Sequence, residues 1–356
     1  MTLYDSKLYM EDIDIVCGLD LPWDLLKDSS VFLSGATGLI GSFLVDVIMR
    51  MNTQRAMNCH IYTLTRNIAN ARNRFSFFCG NDLLSFVEGD IKNKPHTENI
   101  GKLGYVLHLA SNTHPLQYAK DPVGTITTNM TGVQNMMDIA LEHDADRFVF
   151  VSSNEVYGEN RGDVELFTEE YCGYINSNTL RAGYPESKRC GEALCQAYVS
   201  QFGLDIVIPR LTRSYGPTML MSDSKALSQF IKNGINGVDI VLKSEGKQYY
   251  SYQYMADSVS GLLTVMLKGK RAEAYNIADE SSDIRLKDLA AIIAHKCDRK
   301  VVFELPDSTE SAGYSTATKA RLDGSKLRKL GWKPVYDIER GIDRTLQILK
   351  ALQKRN

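Results

Sequence analysis

The stretch Val31–Gly41, which reads VFLSGATGLIG, decides the fold of this chain, because a short apolar strand runs directly into three glycines spaced three apart. A helix with apolar residues at helical spacing follows from Leu39 to Met51. A glycine-rich turn between a strand and a helix can hold a dinucleotide pyrophosphate on backbone N–H groups. Gly35 and Gly38 would let the backbone approach the pyrophosphate, and Gly41 would let helix and strand pack together.

Strand-like and helix-like segments alternate beyond this stretch. Such alternation, with apolar strands buried on both faces, predicts an α/β fold: a Rossmann-type doubly wound parallel sheet. The further strands of this sheet are predicted at Ile61–Thr65, Phe86–Glu88, Tyr105–Ala110, Arg147–Val151 and Asp205–Leu211, and two of its helices at Thr127–Leu141 and Tyr184–Phe202.

The remaining segments predict the domain organisation. Residues 1–30 form an N-terminal helical arm, with a short helix at Leu21–Leu26, that covers either a sheet edge or a subunit contact. Residues 31–212 form the dinucleotide-binding domain, and residues 252–280 rejoin it. Residues 213–251 and 281–356 form a smaller, interleaved C-terminal substrate domain, so that the substrate binds between the two.

Bulk composition excludes several classes of protein. With 44% hydrophobic residues, 24% charged residues and a net charge of −2, the chain has no basic excess that would favour nucleic acid or an anionic membrane as partner. Its seven cysteines are scattered without a C-x-x-C pair, so neither a disulfide framework nor a metal site is predicted.

Met1–Asp14 lacks the apolar core of a signal peptide, and no apolar run is long enough to span a membrane. We therefore expect a cytoplasmic protein.

The ends of the predicted strands supply the other cofactor-binding candidates. Arg66 follows the second strand and suits a 2′-phosphate, which favours NADP over NAD, although an Arg there can also be a solvated strand end. Asp90 can reach the adenine or merely cap a turn. The complete predicted cofactor site comprises Gly35, Thr37, Gly38, Leu39, Ile40, Gly41, Arg66, Asp90, Ile91, Leu109, Ala110, Ser111, Tyr184 and Lys188.

Tyr184 and Lys188 stand four residues apart on a predicted helix, so they share one face. The cation can then lower the pKa of the phenol and make it an acid or base beside the cofactor. A Y-x-x-x-K pattern is common on amphipathic helices, so this interpretation depends on the other motifs.

These motifs and three others make the chain resemble the extended short-chain dehydrogenase/reductase family of nucleotide-sugar epimerases, dehydratases and decarboxylases. The resemblance covers Val31 to Trp332 and includes SSNEVYG at 152–158, YPESKR at 184–189, RLTRSYGP at 210–217 and LGWKP at 330–334. The chain looks most similar to UDP-glucuronate decarboxylases and almost as similar to dTDP-glucose 4,6-dehydratases.

The resemblance implies a reaction through a transient ketone at sugar C4 with bound NAD(P). Tyr184 would take the proton of a sugar hydroxyl, Ser153 would hydrogen-bond that oxygen, and Lys188 would assist. Glu155 would act as a base at C5 or orient a 6-substituent, although a carboxylate here can also simply cap the loop. Asn154 stands where the dehydratases carry an acid, and an amide cannot donate that proton, which tips the prediction towards decarboxylation.

The substrate clamps of the family are altered in this sequence. Arg213 replaces an Asn, Tyr250 replaces an Arg that pairs with the substrate diphosphate, and Thr218 follows the Tyr-Gly-Pro where an Arg is usual. Arg213 can take over the lost Arg, or the substrate can differ. Lys319 and Arg321 are further candidates for substrate binding, and both can equally be surface charges.

Three functions remain open. The leading one is a nucleotide-sugar decarboxylase or 4,6-dehydratase, with a 4-epimerase close behind. The second is an alcohol dehydrogenase acting on a related polyol or sugar, which would consume its cofactor. The third, a non-catalytic dinucleotide sensor, predicts a disrupted Ser–Tyr–Lys set, whereas Ser153, Tyr184 and Lys188 are all present. The resemblance further implies a homodimer formed through the helices at Thr127–Leu141 and Tyr184–Phe202.

Overall fold

The structure is a computed structural model that describes residues 2–111, 120–304 and 318–354. Its strands are β1 (Ser30–Ser34), β2 (His60–Thr65), β3 (Leu84–Glu88), β4 (Tyr105–His108), β5 (Arg147–Phe150), β6 (Ser152–Ser153), β7 (Ile206–Leu211), β8 (Arg213–Tyr215), β9 (Ile240–Leu242), β10 (Tyr249–Tyr254), β11 (Ala274–Ile277), β12 (Asp283–Arg285), β13 (Val301–Phe303) and β14 (Lys319–Ala320). Its helices are α1 (Lys7–Cys17), α2 (Leu39–Arg55), α3 (Ile68–Arg74), α4 (Pro122–Glu142), α5 (Gly183–Phe202), α6 (Ala226–Ile235), α7 (Met255–Lys268), α8 (Leu286–Lys296), α9 (Ser325–Arg328) and α10 (Ile338–Gln353).

The main sheet is parallel and doubly wound, as the alternating pattern predicts. Its strand order is β3-β2-β1-β4-β5-β7-β11, and β6 extends the pairing along β7. Val31 of β1 pairs with Ile61 of β2 on one side and with Tyr105 of β4 on the other. The strand order therefore reverses between β1 and β4, and ligands of doubly wound sheets bind in the crevice beyond the carboxyl ends at this point.

Apolar strands explain why this sheet is central. Val31, Phe32 and Leu33 of β1 are each 0% exposed, because helices cover both faces of the sheet. The α2 helix packs on one face, and α4 packs against α5. The carboxyl ends of β1, β4 and β6 are thereby held at one edge, where the candidate residues follow them.

The smaller part of the structure lies beyond this edge. It contains a four-stranded sheet, with β10 between β12 and β14 and also paired to β8, and a two-stranded sheet of β9 and β13. The segment 252–280, expected to rejoin the main sheet, does so only in part. Its first residues belong to β10 in the smaller sheet, whereas β11 pairs in parallel with β7 of the main sheet.

The N-terminal arm packs on the helices rather than along a sheet edge. The α1 helix, which the sequence did not predict, lies against α2 and α7. Its Asp12 is 0% exposed and accepts hydrogen bonds from Tyr254 and Tyr336, each at 2.6 Å. The predicted short helix forms as a 3-10 turn at Trp23–Leu26. The arm is thus tied into the core by buried polar contacts.

Among the residues that the structure describes, none of the helices combines the length and the apolar character needed to cross a membrane.

Candidate active site

A cleft of about 1270 Å³ runs along the carboxyl edge of the main sheet and continues between that sheet and the smaller part. The glycine turn lines this cleft, and so do residues of β8, β9 and β10. Tyr184, Lys188 and Ser153 line the same cleft. One cleft therefore brings together the motifs that the sequence placed far apart.

The glycine turn leaves room for a group that approaches the backbone. Gly35 has a φ of +75°, and a Cβ at this position would lie 2.7 Å from the backbone nitrogen of Ala110. A Cβ on Gly41 would lie 2.3 Å from the carbonyl oxygen of Gly35. Gly38 caps the N-terminus of α2 and has no side chain to satisfy the first N–H groups of the helix. This arrangement fits a dinucleotide pyrophosphate.

Every residue of the predicted cofactor set lines this cleft, from Gly35 through Ser111 to Tyr184 and Lys188. Arg66 is exposed just after β2. The Asp90 carboxylate accepts a hydrogen bond from the backbone N–H of Lys92 at 2.9 Å, which is the turn-capping contact considered from the sequence. The exposed Arg66 and the capped Asp90 lie at the same end of the cleft as the glycine turn.

Two serine hydroxyls hydrogen-bond the Tyr184 hydroxyl: Ser153 at the end of β6 and Ser111 beyond β4. Tyr184 is only 7% exposed, and burial raises the pKa of its phenol to about 12. The positive charge of Arg181 lowers this pKa, but its effect is smaller than that of burial. The predicted effect of Lys188 on the same pKa stays a prediction.

The Lys188 ammonium points towards the sheet. Its Nζ donates a hydrogen bond to the backbone carbonyl of Val151 at 2.9 Å and lies 4.9 Å from the ring centre of Phe150. Burial lowers the pKa of Lys188 to about 8, because a desolvated ammonium loses its hydration. A lysine with a depressed pKa beside a buried phenol is suited to exchanging protons with a polar ligand.

Glu155 forms an ion pair inside the cleft that the sequence analysis did not foresee. Its Oε2 lies 2.7 Å from Nη2 of Arg181, and the two side chains are 21% and 16% exposed. Arg181 stands three residues before Tyr184, in the 3-10 turn Leu180–Ala182 that leads into α5. Its charge alone does not distinguish it from other arginines in the sequence.

Arg213 and Tyr250, the two altered clamp positions, contact each other across β8 and β10. The guanidinium carbon of Arg213 lies 3.5 Å from the ring centre of Tyr250. Nη1 of Arg213 is buried and has no hydrogen-bond partner among the residues that the structure describes. Both side chains line the cleft, as does Asn154, so the structure brings these three substrate candidates together.

Three other candidates lie apart from this group. Thr218 donates a hydrogen bond to the carbonyl oxygen of Leu39 at 2.8 Å, which ties its loop to the start of α2. Lys319 and Arg321 are not among the residues that line the cleft. Arg321 instead pairs with Asp283 at 2.7 Å and with Glu165, and Lys319 pairs with Glu165 at 3.5 Å. Both cations therefore form ion pairs away from the cleft.

Two lysines of the smaller part also line the cleft, and the sequence analysis did not select them. Lys225 lies beside Asp223 at the start of α6, with Nζ 3.5 Å from a carboxylate oxygen. Lys243 follows β9. With Arg213 they place three cations in the lining of the cleft, alongside the carboxylates of Asp223 and Glu304. An anionic group in the cleft can contact these cations.

Comparison with known families gives one match over most of this fold. The profile of the NAD dependent epimerase/dehydratase family matches residues 31–278. Among curated proteins, UDP-glucuronic acid decarboxylase 1 of Danio rerio is 28% identical over 319 residues, covering 89% of this chain and 72% of that protein. UDP-glucuronic acid decarboxylase 6 of Arabidopsis thaliana is 28% identical over 313 residues, covering 88% and 86%.

Solved structures share the fold. The dTDP-glucose 4,6-dehydratase DesIV of Streptomyces venezuelae, solved with NAD bound, superimposes with a TM-score of 0.77 at 23% identity, covering 92% of this chain and 98% of that one. A UDP-glucuronic acid 4-epimerase of Bacillus cereus, in complex with UDP-glucuronic acid and NAD, gives a TM-score of 0.78 at 21% identity, covering 91% and 99%.

Proposed function

The chain belongs to the NAD dependent epimerase/dehydratase family, and on this premise we propose that it modifies a nucleotide sugar through transient oxidation at C4 with bound NAD(P). The observation that carries the proposal is the meeting of Ser153, Tyr184 and Lys188 in one cleft with the glycine turn. Curated relatives that decarboxylate UDP-glucuronic acid support the choice of substrate class.

Tyr184 is proposed as the group that takes the proton from the sugar hydroxyl and later returns it. Its hydroxyl is buried and hydrogen-bonds with the hydroxyls of Ser153 and Ser111, so an oxygen placed beside Ser153 also lies beside the phenol. Lys188 holds a positive charge near this phenol, fixed by its hydrogen bond to Val151. A bound NAD(P) supplies the acceptor and donor of two electrons. The chain itself orients the sugar, excludes water and moves the proton.

The fate of the ketone depends on the residues after Ser153. A 4-ketone withdraws electrons from the C5–C6 bond, so loss of carbon dioxide needs no acid for a leaving hydroxyl, and C5 then gains a proton from an acid or from water. Dehydration needs an acid for the leaving hydroxyl, and the Asn154 amide cannot donate that proton. We therefore propose a reaction like that of UDP-glucuronate decarboxylase, with a 4,6-dehydratase-like reaction next. A 4-epimerase and an NAD(P)-dependent alcohol dehydrogenase are the alternatives.

NADP is proposed as the preferred cofactor because of Arg66. Its exposed guanidinium follows β2 at the cofactor end of the cleft, where it can pair with a 2′-phosphate. The solved structures quoted above contain NAD, so NAD is the alternative.

Arg213 is proposed to pair with the substrate diphosphate in place of the Arg that Tyr250 replaces. The buried Nη1 has no hydrogen-bond partner among the described residues, and the guanidinium carbon lies 3.5 Å from the centre of the Tyr250 ring. Lys225 and Lys243 line the same part of the cleft and would add to the attraction for the diphosphate.

A homodimer is proposed through α4 and α5. Val123 and Ile126 of α4 and Leu180, just before α5, are 71%, 41% and 70% exposed. A groove between these segments is lined by Pro122, Ile126, Met130 and Leu180, an apolar surface that a second copy can cover. Sedimentation equilibrium should give the dimer mass, whereas a monomer mass would contradict this assembly.

The experiment that tests the function is incubation of the protein with NAD or NADP and UDP-, dTDP-, CDP- and GDP-sugars, followed by mass spectrometry. Loss of carbon dioxide indicates decarboxylation, and loss of water indicates dehydration. An isomer of unchanged mass indicates epimerisation. Net accumulation of reduced cofactor indicates the dehydrogenase alternative, and no conversion of any sugar contradicts the proposal.

A further inference from the structure

The ion pair between Arg181 and Glu155 joins the two segments that carry the reacting hydroxyl groups. Glu155 lies two residues after Ser153, in the 3-10 turn Asn154–Tyr157. Arg181 lies three residues before Tyr184, in the 3-10 turn that runs into α5. The 2.7 Å contact therefore links the loop that holds Ser153 to the start of the helix that holds Tyr184.

The two partners act on the Tyr184 phenol with opposite sign. The negative charge of Glu155 raises the pKa of Tyr184, and the positive charge of Arg181 lowers it. The same two charges act with the same signs on the phenol of Tyr250 across the cleft. Because both side chains are largely buried, their charges are only partly screened by water.

Other groups around the Tyr184 hydroxyl do not take over this task. Ser153 and Ser111 carry neutral hydroxyl groups on separate elements. Lys188, one helical turn further along α5, directs its ammonium at the carbonyl of Val151. Glu155 and Arg181 are both close enough for their charges to act on this phenol. An unpaired Glu155 would thus oppose any negative charge on the Tyr184 oxygen.

We propose that Arg181 is a positioning residue that fixes the Glu155 carboxylate and offsets its negative charge beside the Tyr184 hydroxyl. The pair lets a carboxylate lie at the sugar end of the cleft without opposing proton uptake by Tyr184. The proposal rests on the proposed function only in taking a sugar hydroxyl as the source of the proton that Tyr184 takes up. The ion pair itself can be tested without a sugar.

The test is an ultraviolet titration of the Tyr184 phenol in the protein with NAD bound. Each variant is compared with the same variant carrying Tyr184→Phe, so that the difference spectrum isolates this phenol. Arg181→Gln should raise the apparent pKa, and Glu155→Gln should lower it. The double variant should return to the value of the unaltered protein, and Arg181→Lys, which keeps the charge, should stay near it.

A matched control is Arg147→Gln, which breaks the ion pair with Asp205 (2.9 Å, side chains 17% and 32% exposed) away from the cleft. It should leave the titration of Tyr184 unchanged. The proposal is overturned if Arg181→Gln and Glu155→Gln shift the titration in the same direction or not at all. It is also overturned if the double variant behaves like Arg181→Gln, or if Arg147→Gln has the same effect.

A kinetic readout separates this inference from the proposed function. With UDP-glucuronate as probe, the first reduction of bound nicotinamide near neutral pH should be about tenfold slower in Arg181→Gln, and the deficit should shrink as the pH rises. A purely structural defect would not be relieved by alkaline pH or by adding Glu155→Gln. If no variant reduces the cofactor, the proposed function fails with this sugar, whereas the titration still decides the role of Arg181.

Discussion

Nζ of Lys188 lies 2.9 Å from the backbone carbonyl oxygen of Val151. This hydrogen bond fixes the ammonium of Lys188 on α5 to the residue that follows β5, in the lining of the cleft that also contains Tyr184. Burial lowers the pKa of Lys188 to about 8 in this position. The relationship therefore has consequences for stability as well as for catalysis.

Replacement of Lys188 by Met should abolish turnover but stabilise the protein. Below about pH 8 the ammonium is charged in both the folded and the unfolded chain, and its burial opposes folding. Between about pH 8 and the ordinary lysine value of 10.5, only the unfolded chain holds the proton, so the stability of the unaltered protein rises with pH. Thermal melts should show Lys188→Met higher by roughly 2–4 °C near neutral pH, with a gap that closes as the pH rises.

Lys268→Met is the matched control for this experiment, because its ammonium also donates to a backbone carbonyl, that of Asp20 at 2.8 Å, but near the surface. The control should show no such pH-dependent gap. A gap for Lys188→Met that is constant over the whole range would contradict the assigned burial effect.

Gly35→Ala should weaken dinucleotide binding by about tenfold or more, because the new methyl group would lie 2.7 Å from the backbone nitrogen of Ala110. Gly80→Ala is matched to it: Gly80 has a φ of +80°, but no atom lies within 4 Å of the position of its Cβ. Fluorescence titration with reduced cofactor measures both. Equal losses of affinity in the two variants would assign the effect to backbone strain rather than to the cofactor site.

Arg66→Gln should reduce the preference for NADP over NAD by about tenfold, since it removes a charge-assisted contact to the 2′-phosphate. Affinity for NAD should change little. Arg72→Gln, on the exposed side of α3, is the control. If the unaltered protein binds both cofactors equally and Arg66→Gln changes neither affinity, Arg66 is a solvated strand end.

Arg213→Ala should weaken binding of a UDP-sugar to the NAD-bound protein by about tenfold, because the diphosphate would lose a guanidinium partner. Isothermal titration measures this affinity. Arg285→Ala is the comparison. The guanidinium carbon of Arg285 also lies near a tyrosine ring, 5.4 Å from the ring centre of Tyr249, but Arg285 is exposed and does not line the cleft. Unchanged affinity in Arg213→Ala would contradict the proposal that Arg213 takes the place of the Arg that Tyr250 replaces.

Local patterns predicted the parallel sheet because its signals lie close together in the chain. The Val31–Gly41 stretch holds strand, turn and helix start in one window, and α5 was expected within one residue of its observed start. The α1 helix was missed because Asp12 interrupts its apolar face. The structure shows why Asp12 is compatible with burial: tyrosines more than two hundred residues away donate to it.

The candidate site was predictable where a role follows from a backbone turn or a helical spacing, as for Gly35, Tyr184 and Lys188. It was not predictable where a role depends on long-range contacts. Arg181 is an ordinary charge in the sequence, and only folding brings it to Glu155. Lys319 and Arg321 were selected for their charge, yet Asp283 and Glu165 satisfy them at another place.

The central claim is that the Tyr184 phenol takes the sugar proton during oxidation by bound cofactor. The most direct measurement follows the absorbance of reduced nicotinamide in a single turnover of NAD-bound protein with UDP-glucuronate. Tyr198→Phe is the control, because Tyr198 lies on the same helix and donates to Asp138 at 2.6 Å, outside the cleft. The unaltered protein and Tyr198→Phe should show a transient signal, and Tyr184→Phe should be slower by about a thousandfold. A signal of equal size and rate in Tyr184→Phe would contradict the account.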